Sequence, residues 1–269
     1  MLKNDLHSIY GMHRLAVTVA FAAGFIIASH PLMAQQNTSA PVTIEASTSL
    51  EWDQAKGVYT AIGDAFVEQA DTTLAGDKII ALYDPKSESR DLQHVTAIGA
   101  VVYKDGESTA RGAKLDYDIT AETYILAGPQ ASIIGQRGTM TASQSITYEA
   151  TDPSRKRVVG LGDAIYRGDD GRRVEGDRVV AFLNADGAVD TIDSYGNAKV
   201  VTPKGIIATA DTLNYVAETD RAELFGDVEV IDQDNIMRGA RAEVEFDKEI
   251  SRLLSDGSGK RVTGVLTPN

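Results

Sequence analysis

Small residues recur along this chain at Ala46, Gly76, Gly112, Ala142, Gly176, Ala210 and Gly239, about 29 to 36 residues apart. Self-similarity at that period marks a stack of like units, each too small to bury an apolar face alone. After most of them comes an apolar pair two positions apart: Leu50/Trp52, Ile80/Leu82, Leu115/Tyr117, Ile146/Tyr148, Leu213/Tyr215 and Val244/Phe246. In all but the last copy the pair begins three or four residues on, as if some copies carry a one-residue bulge. A second series, Gly63, Gly99, Gly128, Gly162, Gly196 and Gly226, is typically followed by alternating stretches such as Ala65-Phe66-Val67-Glu68 and Asp227-Val228-Glu229-Val230. Period-two alternation rich in Val, Ile, Thr and Tyr means half-buried strands, with Gly, Asp and Asn supplying turns. Two strands per unit give about 14 to 16 strands in an all-β chain. No proline-rich or low-complexity linker divides residues 41–269, so one domain is expected.

Composition removes whole classes of function. Without cysteine there is no disulfide framework, thiolate nucleophile or cysteine-ligated metal. A net charge of −13 argues against nucleic acid, whose phosphates need a positive footprint. Leu15 to Ser29 is an unbroken run of apolar and small residues, preceded by Lys3, His13 and Arg14 and broken by His30-Pro31. At about 15 residues it is shorter than the roughly 20 a membrane span needs, and it reads as an export signal over residues 1–34, leaving 35–269. That removal leaves His94 alone of the four histidines. One histidine builds no histidine zinc site, and no Gly-x-Ser-x-Gly elbow accompanies it. Gly160-Leu161-Gly162 continues into Asp163-Ala164-Ile165 and fits no phosphate loop. No catalytic group, metal or cofactor is expected. The clusters Arg155-Lys156-Arg157 and Arg172-Arg173 fall at expected turns and read as solvated loops.

Three stretches carry a resemblance to a known family. Pro41-Val42-Thr43-Ile44-Glu45-Ala46 is similar to a first strand of the LptA/OstA proteins of periplasmic lipopolysaccharide transport. Ile192-Asp193-Ser194-Tyr195-Gly196-Asn197-Ala198 resembles that family's Gly-Tyr-Gly turn, with Ser194 replacing the first glycine. Gly259-Lys260-Arg261-Val262-Thr263-Gly264-Val265-Leu266-Thr267-Pro268 resembles its terminal signature. The likeness spans residues 41 to 268, with an extra repeat around residues 100–170.

The resemblance implies a β-jellyroll of two facing antiparallel sheets, here built from stacked hairpin repeats, that holds lipopolysaccharide by its acyl chains. It implies a periplasmic location, an LptC-like partner at the inner membrane, an LptD-like partner at the outer one, and head-to-tail self-association. Val42 and Ile44 match lipid-contacting positions of the family's first strand. Val201 falls on an interior aromatic, and Tyr215 on an interior tyrosine whose face Leu213 shares. Strand parity alone adds Trp52, Phe66, Phe225 and Phe246 to the lipid-facing set. The edge strands expected to meet partners are the first, with Val42 and Ile44, and the last, with Val262 and Val265. Two rivals stand beside this reading: an LptC-like jellyroll retained by residues 15–33, and a secreted carbohydrate-active β-solenoid using a carboxylate pair.

Overall fold

The computed structural model describes residues 41–87, 90–106, 108–135, 137–152, 154–248, 250–255 and 261–265. The export signal and the ends of the terminal signature lie outside them. In chain order the strands are β1 (Thr43–Glu45), β2 (Ser49–Asp53), β3 (Val58–Gln69), β4 (Thr72–Tyr83), β5 (Leu92–Asp105), β6 (Ser108–Asp118), β7 (Thr123–Ala127), β8 (Ala131–Gly135) and β9 (Gly138–Ala142). They continue with β10 (Ser145–Glu149), β11 (Lys156–Gly168), β12 (Arg173–Leu183), β13 (Val189–Val201), β14 (Ile207–Val216), β15 (Arg221–Asp232), β16 (Asn235–Glu245), β17 (Ile250–Leu254) and β18 (Thr263–Val265). All belong to one antiparallel hydrogen-bonded network.

The second glycine series is what bends that network. In β3, β5, β11, β13 and β15 two consecutive residues take left-handed backbone: Gly63-Asp64, Gly99-Ala100, Gly162-Asp163, Gly196-Asn197 and Gly226-Asp227. At all five of these bends the two residues oppose one on the following strand, for example between the pairs Tyr195↔Thr212 and Ala198↔Ala210. Such a bulge kinks a strand sharply. The first small-residue series sits directly across it, in the pairs Gly76↔Ala65, Gly112↔Val101, Gly176↔Ala164, Ala210↔Ala198 and Gly239↔Val228. A Cβ on Gly176 would stand 3.2 Å from the carbonyl oxygens of both Tyr195 and Gly196, so a larger residue has no room. The residue after the small one clamps the bend: Asn197 Nδ2 donates to Asp177 Oδ1 at 3.1 Å, and Ser143 Oγ to Asp163 Oδ2 at 3.3 Å.

Each long strand therefore crosses from one layer into a second that faces it. Where the bend becomes a break, one strand is counted as two: β1/β2, β7/β8, β9/β10 and β17/β18. This explains 18 strands among the described residues where the repeat predicts about 14 to 16. β2, β7, β10 and β17 lie in the first layer, and β1, β8, β9 and β18 in the second. The fold is the all-β jellyroll the resemblance implies. A single buried cluster fills the space between the layers. Near the bends it consists largely of small residues such as Ala61, Ala65, Ala97, Ala164, Ala198 and Ala210. Toward the far strand ends it holds Tyr83, Tyr117, Tyr215 and Phe246. The gradient makes the interior a wedge, narrow at the bends and wide at the opposite mouth.

Candidate functional site

The interior of the wedge is the site the fold builds, and parity decides who enters it. Directly opposed residues share a face. Ile44 lies opposite Val67, and both are half-buried against the core. Val42, just ahead of β1, is half-buried as well. Leu213 and Tyr215 of β14 are buried, and Phe246 packs its ring against Tyr215 with centroids 6.1 Å apart. Trp52 lies opposite Tyr59 on the inward face of β2, stacked on it at 5.4 Å, and its indole N–H donates to the Tyr83 hydroxyl at 2.9 Å.

Three residues expected inside face outward. Phe66 sits between Ala65 and Val67, which take the inward positions. Phe225 is 41% exposed beside fully buried Leu224, and the Arg241 guanidinium covers its ring at 5.2 Å. Val201 follows fully buried Val200 and lies on the outer face. For Phe66 and Phe225 the reason is parity: the inward places beside them belong to Ala65 and Val67 and to Leu224. The edge strands stand as expected at the two ends of the stack. β1 and β2 pair only with β3, and β17 and β18 only with β16, among the described residues. Val262 precedes β18 rather than lying in it, and Val265 lies in it with 57% exposure.

Two features of the mouth were not foreseen. Besides the expected Tyr215, seven tyrosines turn inward among the described residues, at 59, 83, 103, 117, 124, 148 and 166, mostly toward strand ends. Burial raises the phenol of Tyr166 to about 12 and pushes Tyr103, Tyr117, Tyr124, Tyr148 and Tyr215 above the ordinary tyrosine value as well. The tyrosine at the end of an inward pair, as in Leu115/Tyr117 and Ile146/Tyr148, was the available signal.

The second is Arg172, expected on a solvated turn and found buried between the layers. Its guanidinium pairs with Asp220 at 2.8 Å, donates to the Tyr215 hydroxyl, and lies over the rings of Tyr215 and Phe246 at 4.7 and 5.0 Å. Its neighbour Arg173 pairs with Glu175. In the other basic cluster Arg157 pairs with Glu149 at 2.7 Å and Arg155 covers the Phe182 ring at 4.2 Å. His94 stands 3.7 Å from Asp116.

What this arrangement offers is a long apolar interior with a polar-tipped mouth. Compared with known proteins, residues 43–153 and 163–250 match the family described as LptA/(LptD N-terminal domain) LPS transport protein. Among solved structures the chain is similar to the crystal structure of LptH, the LptA homologous periplasmic component of the lipopolysaccharide transport device from Pseudomonas aeruginosa. The identity is 15%, the match covers 85% of this chain and 96% of that one, and the TM-score is 0.22. Among curated proteins nothing matches.

Proposed function

We propose that this chain, which belongs to the LptA/LptD amino-terminal family of lipopolysaccharide transport proteins, carries lipopolysaccharide by holding its acyl chains in the interior wedge. The physical need is plain. Each methylene moved out of water is worth about 0.8 kcal/mol, so a chain of a dozen carbons costs on the order of 9 kcal/mol to hold bare in water. A bent sheet pair supplies an apolar trough by placing every second side chain inside. Ile44, Leu213, Tyr215 and Phe246 line it, with Val42 and Trp52 at its amino-terminal end. No catalytic group takes part.

The observation that carries the reading is that the apolar interior does not close at its end. Leu50 and Trp52 face inward, yet stay 57% and 43% exposed, because no further strand covers β2 among the described residues. A trough left open beside unpaired strand edges is suited to continuing into a neighbour. Chains of this protein would then join head to tail, β17 and β18 of one meeting β1 and β2 of the next. An LptC-like partner would cap the bridge at the inner membrane and an LptD-like partner at the outer. Such a bridge works in the periplasm, which the apolar run at residues 15–29 would address as a cleaved export signal.

Purification of the exported protein followed by lipid mass spectrometry tests the carrier. Lipid A recovered in proportion to protein supports it, and its absence across extraction conditions counts against it. Intact mass separates the free carrier, beginning near Gln35, from the rival retained by residues 15–33.

A further inference from the structure

Where Arg172 bridges the two layers near β12 and β14, a cleft of about 190 Å³ enters the mouth of the trough. Its apolar wall is made by Val189, Ala217 and the rings of Tyr166 and Tyr215, and its polar rim by Arg137, Asp169, Asp170 and Arg172. The volume lies below the roughly 300–1,000 Å³ of pockets that take a drug-sized ligand, so it suits a single ring.

The lining selects among ring chemistries. An acyl chain laid here would bury carboxylates and guanidiniums against hydrocarbon, at a cost with no return. A phosphate would meet Asp169, Asp170 and, behind Arg172, Asp220, three carboxylates against two guanidiniums. A polyhydroxylated ring meets neither objection. Each sugar hydroxyl both donates and accepts, so it uses carboxylates and guanidiniums alike, while its C–H face lies against an aromatic ring. The donor that matters most is already placed. Arg172 is only 9% exposed and fixed by Asp220 and Tyr215, so a guanidinium already stands in the wall of the cleft.

We infer that this cleft binds one pyranose of the glycan head of an amphiphile whose chains occupy the trough. The inference rests on the carrier reading and adds to it where the head sits. Arg172 and Arg137 donate to ring hydroxyls, Asp169 and Asp170 accept from them, and Tyr166 and Tyr215 supply the stacking face.

The test compares octyl glucoside with octyl tetraethylene glycol, two probes with one chain and different heads, both below their micellar concentrations, by calorimetry on the purified protein. The parent should bind the sugar-headed probe about tenfold more tightly. In Arg172→Gln, and in the exposed variant Asp169→Ala that leaves the buried ion pair intact, the ratio should fall toward one. Equal affinity of the parent for both probes, or an unchanged ratio in both variants, overturns the sugar site while leaving the carrier standing. A parent that binds neither probe has failed as a carrier, and the inference falls with it.

Discussion

Tyr103 of β5 and Tyr124 of β7 belong to opposite layers, yet their rings stand 5.9 Å apart. Tyr124 also stacks on Tyr117 at 3.9 Å and tilts toward Tyr148 at 5.9 Å. The four rings form a rung across the trough. A hydrocarbon chain sliding past must part them, and each aromatic pair is worth about 0.5–1.5 kcal/mol beyond the area it buries. Arg172 and Asp220 close the mouth a second time farther along.

The rung makes stability sensitive to alkali. Burial holds these phenols above their unfolded value of about 10. Folded, they keep their protons where the unfolded chain has lost them, so stability is full below pH about 10 and falls as pH rises through the raised values. Tyrosine absorbance against pH should show a minority ionising near pH 10 and the remainder only together with unfolding. Smooth titration of all tyrosines near pH 10, with the fold intact, would show the rung is not buried.

The bends should tolerate less than the turns. Gly196 and Gly187 both have positive φ, 68 and 76. A Cβ on Gly196 would stand 2.3 Å from Asp177 Oδ2, whereas one on Gly187 meets nothing within 4 Å. Gly187→Ala should cost about 1 kcal/mol for backbone strain alone, and Gly196→Ala roughly 2–4 kcal/mol. Urea unfolding compares them, and equal losses would mean the bend is not sterically set.

Lipid entry should require the mouth to open. With no native cysteine, Arg172→Cys and Asp220→Cys can be joined by a short thiol-to-thiol linker. The linked protein should take up lipopolysaccharide at least tenfold more slowly than the same variant unlinked. Equal rates would place entry elsewhere.

End-to-end growth should depend on the last strand. Val265→Pro removes a ladder donor and fixes φ in β18. The variant should fold and bind lipid, yet show no rise in light-scattering mass with concentration, while the parent lengthens. Undiminished growth would exclude this edge as the joint.

Much of this architecture can be read from residue spacing. The two small-residue series are the bend and the position across it, and pairs such as Leu213/Tyr215 report inward parity because period-two alternation survives within each half strand. What misleads is size taken in place of parity. Size suggests that Phe66 and Phe225 point inward, but next to a bend the inward place belongs to Ala65 and Leu224. Arg172 was hidden for another reason. Its place between the layers depends on Asp220 and Phe246, which arrive from distant turns and leave no local pattern.

The most direct measurement of the central claim is site-specific photo-crosslinking to lipopolysaccharide in living cells, at adjacent positions on one strand. Tyr215 is buried in the trough and lies opposite Ala222, while Asn214, its neighbour, faces outward and donates to Asp193 at 2.7 Å. The pair Ile44 and Thr43 repeats the contrast on β1. Crosslinks to lipid at Tyr215 and Ile44, with none at Asn214 and Thr43, are the result this account predicts. Equal labelling at all four positions, or labelling only of the outward pair, would contradict it.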